Sequence, residues 1–206
     1  MNFIIAGIHT GIGKTICSTI LTEALGYDYW KPVQAGDLDA SDSIFVEKHL
    51  SNPKSMIHPE AYRLKIAASP HFAAAAEGIE IRLDDLNLPL SKNSVIVETA
   101  GGILSPLSDT LLNIDLIKHL NLPVVLVTND YLGSINHTLL SVEILRGAKI
   151  DILGLVFSGE KVSATRLFIQ KHTRLATLFE IPFFEPCDKQ TVAAYAHHLV
   201  VPPLFR

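Results

Sequence analysis

One short stretch of this chain concentrates the residue types that handle phosphate. Gly7-Ile8-His9-Thr10-Gly11-Ile12-Gly13-Lys14-Thr15 stands between an apolar run, Phe3–Ala6, and a segment that reads as a helix from about Gly13 to Leu25. Gly11 and Gly13 let the backbone turn its N–H groups inward, and the helix N-terminus adds its positive dipole end. Lys14 can bridge the β- and γ-phosphates of a nucleoside triphosphate, and the Thr15 hydroxyl can reach Mg²⁺. The common spacing G-x-x-x-x-G-K-[ST] wants glycine at position 8. Here Ile8 stands there and Gly7 comes one place early, so the loop is a variant. A merely structural strand–turn–helix is the bland alternative, and the agreement of position with residue type weighs against it.

Other residues extend this chemistry. Lys31 lies at the end of a short apolar segment, Tyr29-Trp30-Lys31-Pro32. A lysine at a strand's carboxyl end points toward the ligand crevice of an α/β sheet, where it can neutralise an anionic substrate or a transferring phosphoryl group. Taken alone it also fits a solvated surface lysine. Glu98 ends the run Ser94-Val95-Ile96-Val97, and Asp42 stands in Ala40-Ser41-Asp42-Ser43. Their hard carboxylate oxygens suit Mg²⁺, while Asp42 equally fits the first turn of a helix. Leu132-Gly133-Ser134-Ile135-Asn136-His137 opens a helix after an apolar run. Free N–H groups there can receive a carboxylate, or belong to an ordinary capped terminus. The nine histidines show no metal-ligand spacing, and His197-His198 reads as a solvated face.

The elements that must position these residues alternate. Apolar runs at Phe3–Ala6, Val95–Glu98, Val124–Thr128, Leu153–Ser158 and Ala176–Ile181 are followed by helical segments. After the first, these helices fall near Asn113–Leu120, Ile135–Arg146, Ser163–His172 and Lys189–His198. The runs are continuously apolar, as strands buried on both faces must be. This rhythm predicts a single α/β domain over residues 1–206, with a mostly parallel sheet and helices on both faces. Residues 51–93 are less regular and carry several prolines; they read as an insertion over the sheet edge.

Bulk properties narrow the function class. With 48% hydrophobic and 18% charged residues, the 206-residue chain can build a sizeable core. A formal charge of −4, without a Lys/Arg run, argues against nucleic acid. Anionic ligands must then be held by a few local cations and backbone N–H groups. Cys17 and Cys187 fit a reduced, cytoplasmic setting. No apolar stretch is long enough to predict a membrane span, and the apolar N-terminus lacks the basic region of a signal peptide.

Taken together, the motifs resemble the dethiobiotin synthetase family of biotin biosynthesis. The matching pieces are the loop Gly7–Thr15, Trp30-Lys31-Pro32-Val33-Gln34-Ala35-Gly36, Ser41-Asp42, Ser69-Pro70-His71 and Val97-Glu98-Thr99-Ala100-Gly101-Gly102. Ser105-Pro106-Leu107-Ser108-Asp109, Leu132–His137 and Glu180-Ile181-Pro182 follow in family order, so the resemblance spans nearly the whole chain. It implies a P-loop NTPase-like fold and an ATP- and Mg²⁺-dependent ligase. That enzyme closes the ureido ring of dethiobiotin on 7,8-diaminopelargonic acid with CO₂ or bicarbonate, through a carbamate and a carbamic–phosphoric anhydride. It further implies phosphate contacts from Gly11, Ile12, Gly13, Lys14, Thr15 and Ile16, and a base site bordered by Ser158 and Pro182. Thr15, Asp42 and Glu98 match its Mg²⁺ ligands, and Thr10 and Lys31 its substrate-site positions. Gly133, Ser134, Ile135 and Asn136 match the stretch that receives the substrate carboxylate across a homodimer interface.

Four positions depart from the family pattern. Ala35 stands where Thr or Ser is common, Gly11 where an acid or amide is common, and Thr99 where a glycine is usual. Ser158 replaces the adenine-reading Asn, and its shorter side chain cannot make the same paired contact with a base edge. Other readings use the same loop. A partner-controlled ATPase switch of the partition or division-site type shares the fold, but its loop carries Lys where His9 stands, and the C-terminus here shows no basic amphipathic tail. A paralogue acting on another diamine keeps the same residues. An amide-forming ligase of cofactor synthesis usually appends a glutamine-hydrolysing domain, for which 206 residues leave no room.

Overall fold

The apolar runs pair into one seven-stranded sheet, and its strand order explains why they are apolar throughout. The computed structural model describes residues 1–205. In chain order its elements are β1 (Phe3–Gly7), α1 (Lys14–Leu25), β2 (Asp28–Trp30), β3 (Val33–Ala35), α2 (Asp42–His49), β4 (Ile57–His58), β5 (Tyr62–Leu64) and α3 (Pro70–Glu77). There follow β6 (Val95–Gly102), α4 (Asn113–Leu120), β7 (Val124–Asn129), α5 (Ser134–Gly147), β8 (Ile152–Ser158), α6 (Ser163–Thr173), β9 (Thr177–Ile181) and α7 (Lys189–His198). The main sheet runs β4-β2-β6-β1-β7-β8-β9, with every pair parallel. β1 lies between β6 and β7 and is buried along its whole length, so neither of its faces tolerates a polar residue. Helices flank the sheet; α1, α2 and α7 pack on one another, and α5 packs on α6.

Parallel pairing puts all strand C-termini at one edge, which is where such sheets bind ligands. The loops after β1, β2, β6, β7, β8 and β9 therefore converge. The β1–β6 register is regular from Phe3↔Ile96 to Ile5↔Glu98, then jumps to Gly7↔Gly102. The extra β6 residues bend that strand's end just past Glu98.

Several expected boundaries shift, each for a local reason. α1 begins at Lys14 because Gly13 takes a left-handed φ of 94° as its N-cap. β2 ends at Trp30, so Lys31 lies just beyond the strand. β6 runs past Glu98 to Gly102. The irregular segment 51–93 holds more order than its sequence predicts. β4 adds an edge strand beside β2, β5 pairs with β3 in a separate two-stranded parallel sheet, and α3 packs against both. Val33, Leu64, Ala73, Ala74, Leu107 and Leu116 give this region a small core of its own. Cys17 is buried and Cys187 exposed, and both are free thiols.

The sheet end opposite the loops is fastened by one buried carboxylate. Asp28 accepts hydrogen bonds from Ser91 Oγ (2.7 Å), the Met56 amide (2.9 Å) and Asn93 Nδ2 (3.1 Å), and His58 Nε2 lies 3.0 Å from it. Burial, which raises a carboxyl, is outweighed by these donors, so Asp28 is held below its ordinary value. A depressed folded-state pKa adds stability that is present above the unfolded value of about 3.9 and is lost as pH falls through the folded value. Asp28→Asn is expected to cost about 2–3 kcal/mol near neutrality. The gap should shrink below about pH 4. Urea unfolding of both proteins at several pH values checks this; a gap independent of pH would contradict it.

Candidate active site

The phosphate loop projects from the end of β1 into a cavity of about 480 Å³. Thr10, Gly11, Gly13, Lys14, Thr15 and Ile16 line it, and Lys31, Asp42 and Glu98 arrive from three other elements. Lys14, Lys31 and Glu98 are all buried. The Lys14 ammonium donates to the His9 carbonyl at 3.2 Å, which folds the loop around it. Burial pushes this amine down to about 8 against the opposing pull of Glu98, with the Lys31 charge adding to the fall. Burial also lowers Lys31, while Glu98 and Glu60 pull the other way. Lys31 Nζ forms a close ion pair with Asp42.

Thr15 Oγ1 lies 2.7 Å from Asp42 Oδ1 and 2.9 Å from Glu98 Oε1. One hydroxyl proton serves only one of those oxygens at a time. With Lys31 on the other oxygen of Asp42, the cluster brings two carboxylates and a hydroxyl together as hard oxygens at one point of the cavity. Glu98 is fixed from behind by Ser18 Oγ (2.7 Å) and Tyr29 OH (3.0 Å), both donating to Oε2. Asp42 opens α2, next to the N-cap Ser41, and also faces Thr15.

Two further cavities open beside this one. The first, about 390 Å³, shares Thr10, Lys31 and Asp42 and extends to Ala35, Ser69 and Pro106. The second, about 340 Å³, lies on the other flank of the loop, where Gly11, Ile12, Gly13 and Ile16 meet Ser158 and Pro182. Asn129, Phe183 and Phe184 complete it, giving amide and aromatic surface beside the phosphate loop.

Gly133–Asn136 do not join Lys31 in either cavity that contains it. Gly133 caps α5 with φ 106° and no side-chain cap, Ser134 is buried, and Asn136 is exposed. The start of α5 meets the phosphate loop through His137, whose ring stacks at 6.2 Å on that of His9. Between them lies a cavity of about 430 Å³ that includes Ile103, Leu104 and Leu140.

Sequence reasoning missed Ser18, Tyr29 and Asn129. Ser18 had a signal, since it follows Thr15 by three positions and shares its face of α1. Tyr29 had none: its contact with Glu98 spans 69 positions. Asn129 ends β7 beside Ser158 on β8, a register that only the folded sheet reveals.

A family model described as an AAA domain matches residues 1–191. The chain is 47% identical over 195 residues to a protein of Cytophaga hutchinsonii named ATP-dependent dethiobiotin synthetase BioD, covering 94% of each chain. A protein of the same name from Christiangramia forsetii is 41% identical, over 95% of this chain and 94% of its own. Among solved structures, a ParA family ATPase from Chlorobium tepidum superposes with a TM-score of 0.57 at 13% identity, covering 96% of this chain and 98% of that one. At that identity the likeness speaks for the fold alone.

The phosphate loop and the β8 end are packed so closely that Gly13 has no room for a side chain. A Cβ there would lie 2.3 Å from Ser158 Oγ, on a backbone with φ +94°. Gly13→Ala is expected to cost about 1–2 kcal/mol for the left-handed backbone and a further 1–3 kcal/mol, roughly, for the overlap. Adding Ser158→Gly should recover the second part only. Urea unfolding of the single and double variants measures both, and a double variant no more stable than Gly13→Ala would refute the steric account.

Proposed function

Because the chain belongs to the ATP-dependent dethiobiotin synthetase family, we propose that it closes the ureido ring of dethiobiotin on 7,8-diaminopelargonic acid, using CO₂ and ATP. The observation that carries this reading is the meeting of Lys14, Thr15, Lys31, Asp42 and Glu98 around one cavity that continues into a second, substrate-sized one. One substrate amine adds to CO₂, loses a proton and becomes a carbamate. A carbamate oxygen attacks the γ-phosphorus and ADP leaves, giving a carbamic–phosphoric anhydride. The second amine attacks the carbonyl carbon, phosphate leaves with its electron pair, and loss of a proton completes the ring. An anionic carbamate must approach an anionic phosphoryl group, so cations have to face both. Lys14 serves the phosphoryl side and Lys31 the carbamate side, with Thr10 at the junction of the cavities.

Mg²⁺ fits the donor set. Two carboxylates and a hydroxyl are the hard oxygen ligands it prefers, and it leaves its remaining positions to water and phosphate. Thr15, Asp42 and Glu98 would hold it, and it would supply charge neutralisation to the phosphate oxygens. Among the described residues no group of three or more His, Cys, Asp or Glu forms an alternative metal centre.

The substrate carboxylate falls to Gly133, Ser134, Ile135 and Asn136 of a second copy. Two observations support a homodimer. These residues stand apart from Lys31 within one chain, and exposed Leu104, Leu132 and Leu140 provide apolar surface for a partner. No described helix is long and apolar enough to cross a membrane, and the free thiols fit a cytoplasmic site.

Phosphate release from ATP should require both diaminopelargonate and bicarbonate, and Lys14→Ala should lower it by about 10²–10³-fold. Release that needs neither substrate would point to an ATPase switch instead. A second outcome concerns the base. With Ser158 in place of an amide, discrimination among bases should shrink, because less is left unpaired when the wrong base binds. We expect kcat/KM for GTP or CTP to approach that for ATP, and Ser158→Asn to restore the preference. A strong ATP preference in the unmodified protein would assign base reading to another group of the cavity, such as Asn129, whose Oδ1 is buried without a partner.

A further inference from the structure

One guanidinium group ties together the ends of three adjacent strands. Arg166, on α6, has a nearly fully buried side chain. Its Nε donates to Asp130 Oδ2 at 2.5 Å, and one terminal nitrogen lies 3.0 Å from Glu180 Oε2. The other donates to the carbonyls of Glu160 (3.0 Å) and Gly159 (3.4 Å). The guanidinium carbon also sits 4.9 Å above the Phe157 ring. Asp130, equally buried, accepts the Val162 amide at 3.0 Å as well. These partners follow or end β7, β8 and β9 in turn. Each lies within two residues of a side chain that lines the cavity beside the phosphate loop: Asn129, Ser158 and Pro182.

We propose that Arg166 is a positioning residue for the nucleotide, holding the ends of β7, β8 and β9 as one preformed wall of the base cavity. The inference rests on the reading of the phosphate loop as a triphosphate site. A buried ion pair is a poor source of stability, since well-packed apolar side chains often do as well or better. What the planar fork supplies is direction: several donors fixed in one plane, reaching a carboxylate and two loop carbonyls together. Gly159, with φ +89°, is tied to β9 by its amide on the Ile181 carbonyl at 2.8 Å, and Arg166 reaches its own carbonyl from the other side. The phosphate loop packs on the β8 end through Gly13 against Ser158 but makes none of these contacts, and its fold is set by its own hydrogen bond from Lys14 to the His9 carbonyl. Loss of the fork should therefore weaken the hold on the base and spare the hold on the phosphates.

The test compares AMP-PNP with inorganic tripolyphosphate, each titrated calorimetrically with Mg²⁺ into the unmodified protein, Arg166→Met and Arg166→Lys. Lysine keeps the charge opposite Asp130 but cannot span the other partners, so it decides the matter if the methionine variant does not fold. The expected result is a loss of AMP-PNP affinity of about tenfold or more, the scale of one charge-assisted contact. Tripolyphosphate affinity should stay within about twofold, and KM for ATP should rise with kcat largely retained. Unchanged AMP-PNP affinity in a folded variant, or an equal fall for both ligands, would overturn this inference alone. An unmodified protein that binds no tripolyphosphate would overturn the phosphate-loop reading and this inference with it.

Discussion

Lys14 and Glu98 are both withdrawn from water, and a charge buried alone costs more than a domain of this size can spare. Each is tolerable because the site supplies its counterpart. Lys31 pairs with Asp42, Thr15 stands between the two carboxylates, and Ser18 and Tyr29 satisfy the rear oxygen of Glu98. The balance is incomplete on purpose, in a chemical sense. Burial leaves the Lys14 ammonium easy to deprotonate, and the single Thr15 hydroxyl proton is shared between two carboxylate oxygens. A triphosphate with its counter-cation answers both shortfalls at once.

The rest of the fold follows from holding these groups at fixed separations. β1 delivers the loop, β6 delivers Glu98 from its middle, and the end of β2 delivers Lys31; because the three are adjacent and parallel, with Val97 opposite Trp30 and Glu98 opposite Ile5, these residues emerge side by side. α2 then carries Asp42 in from the flank. Its N-cap Ser41 is itself held by Glu60 at 3.3 Å, and Glu60 is paired with Arg63 at 2.8 Å. The supports come from the irregular segment beyond the sheet edge, which gives that segment a part in the site.

Legibility from sequence followed the length of each signal. β7 is a run of buried apolar residues and α1 is bracketed by Gly13 and Gly26, so both could be read locally. β3, β4 and β5 have two or three residues each, too few for any period to emerge. α3 did carry end signals, Pro70 at its first turn and Gly78 just after it, but its alanine-rich interior gave a weak apolar face. In the site, Lys14 and Thr15 follow from spacing alone. Glu98 and Asp42 needed the end of a strand and a family pattern. Arg166 lies early in α6, between Thr165 and the apolar Leu167-Phe168-Ile169, with partners at positions 130 and 180, and nothing local marks it.

The central place of β1 also has a consequence for how the chain comes into being. Its partners β6 and β7 begin at Val95 and Val124, about 90 and 120 positions later. At a synthesis rate of about 5–20 residues per second, the most apolar strand emerges on the order of 5–20 s before either neighbour exists. During that interval Phe3–Gly7 is an unpaired edge of high β-propensity. The protein thus draws its ligand loop from the first strand made, and that strand waits through most of synthesis for the neighbours that bury it.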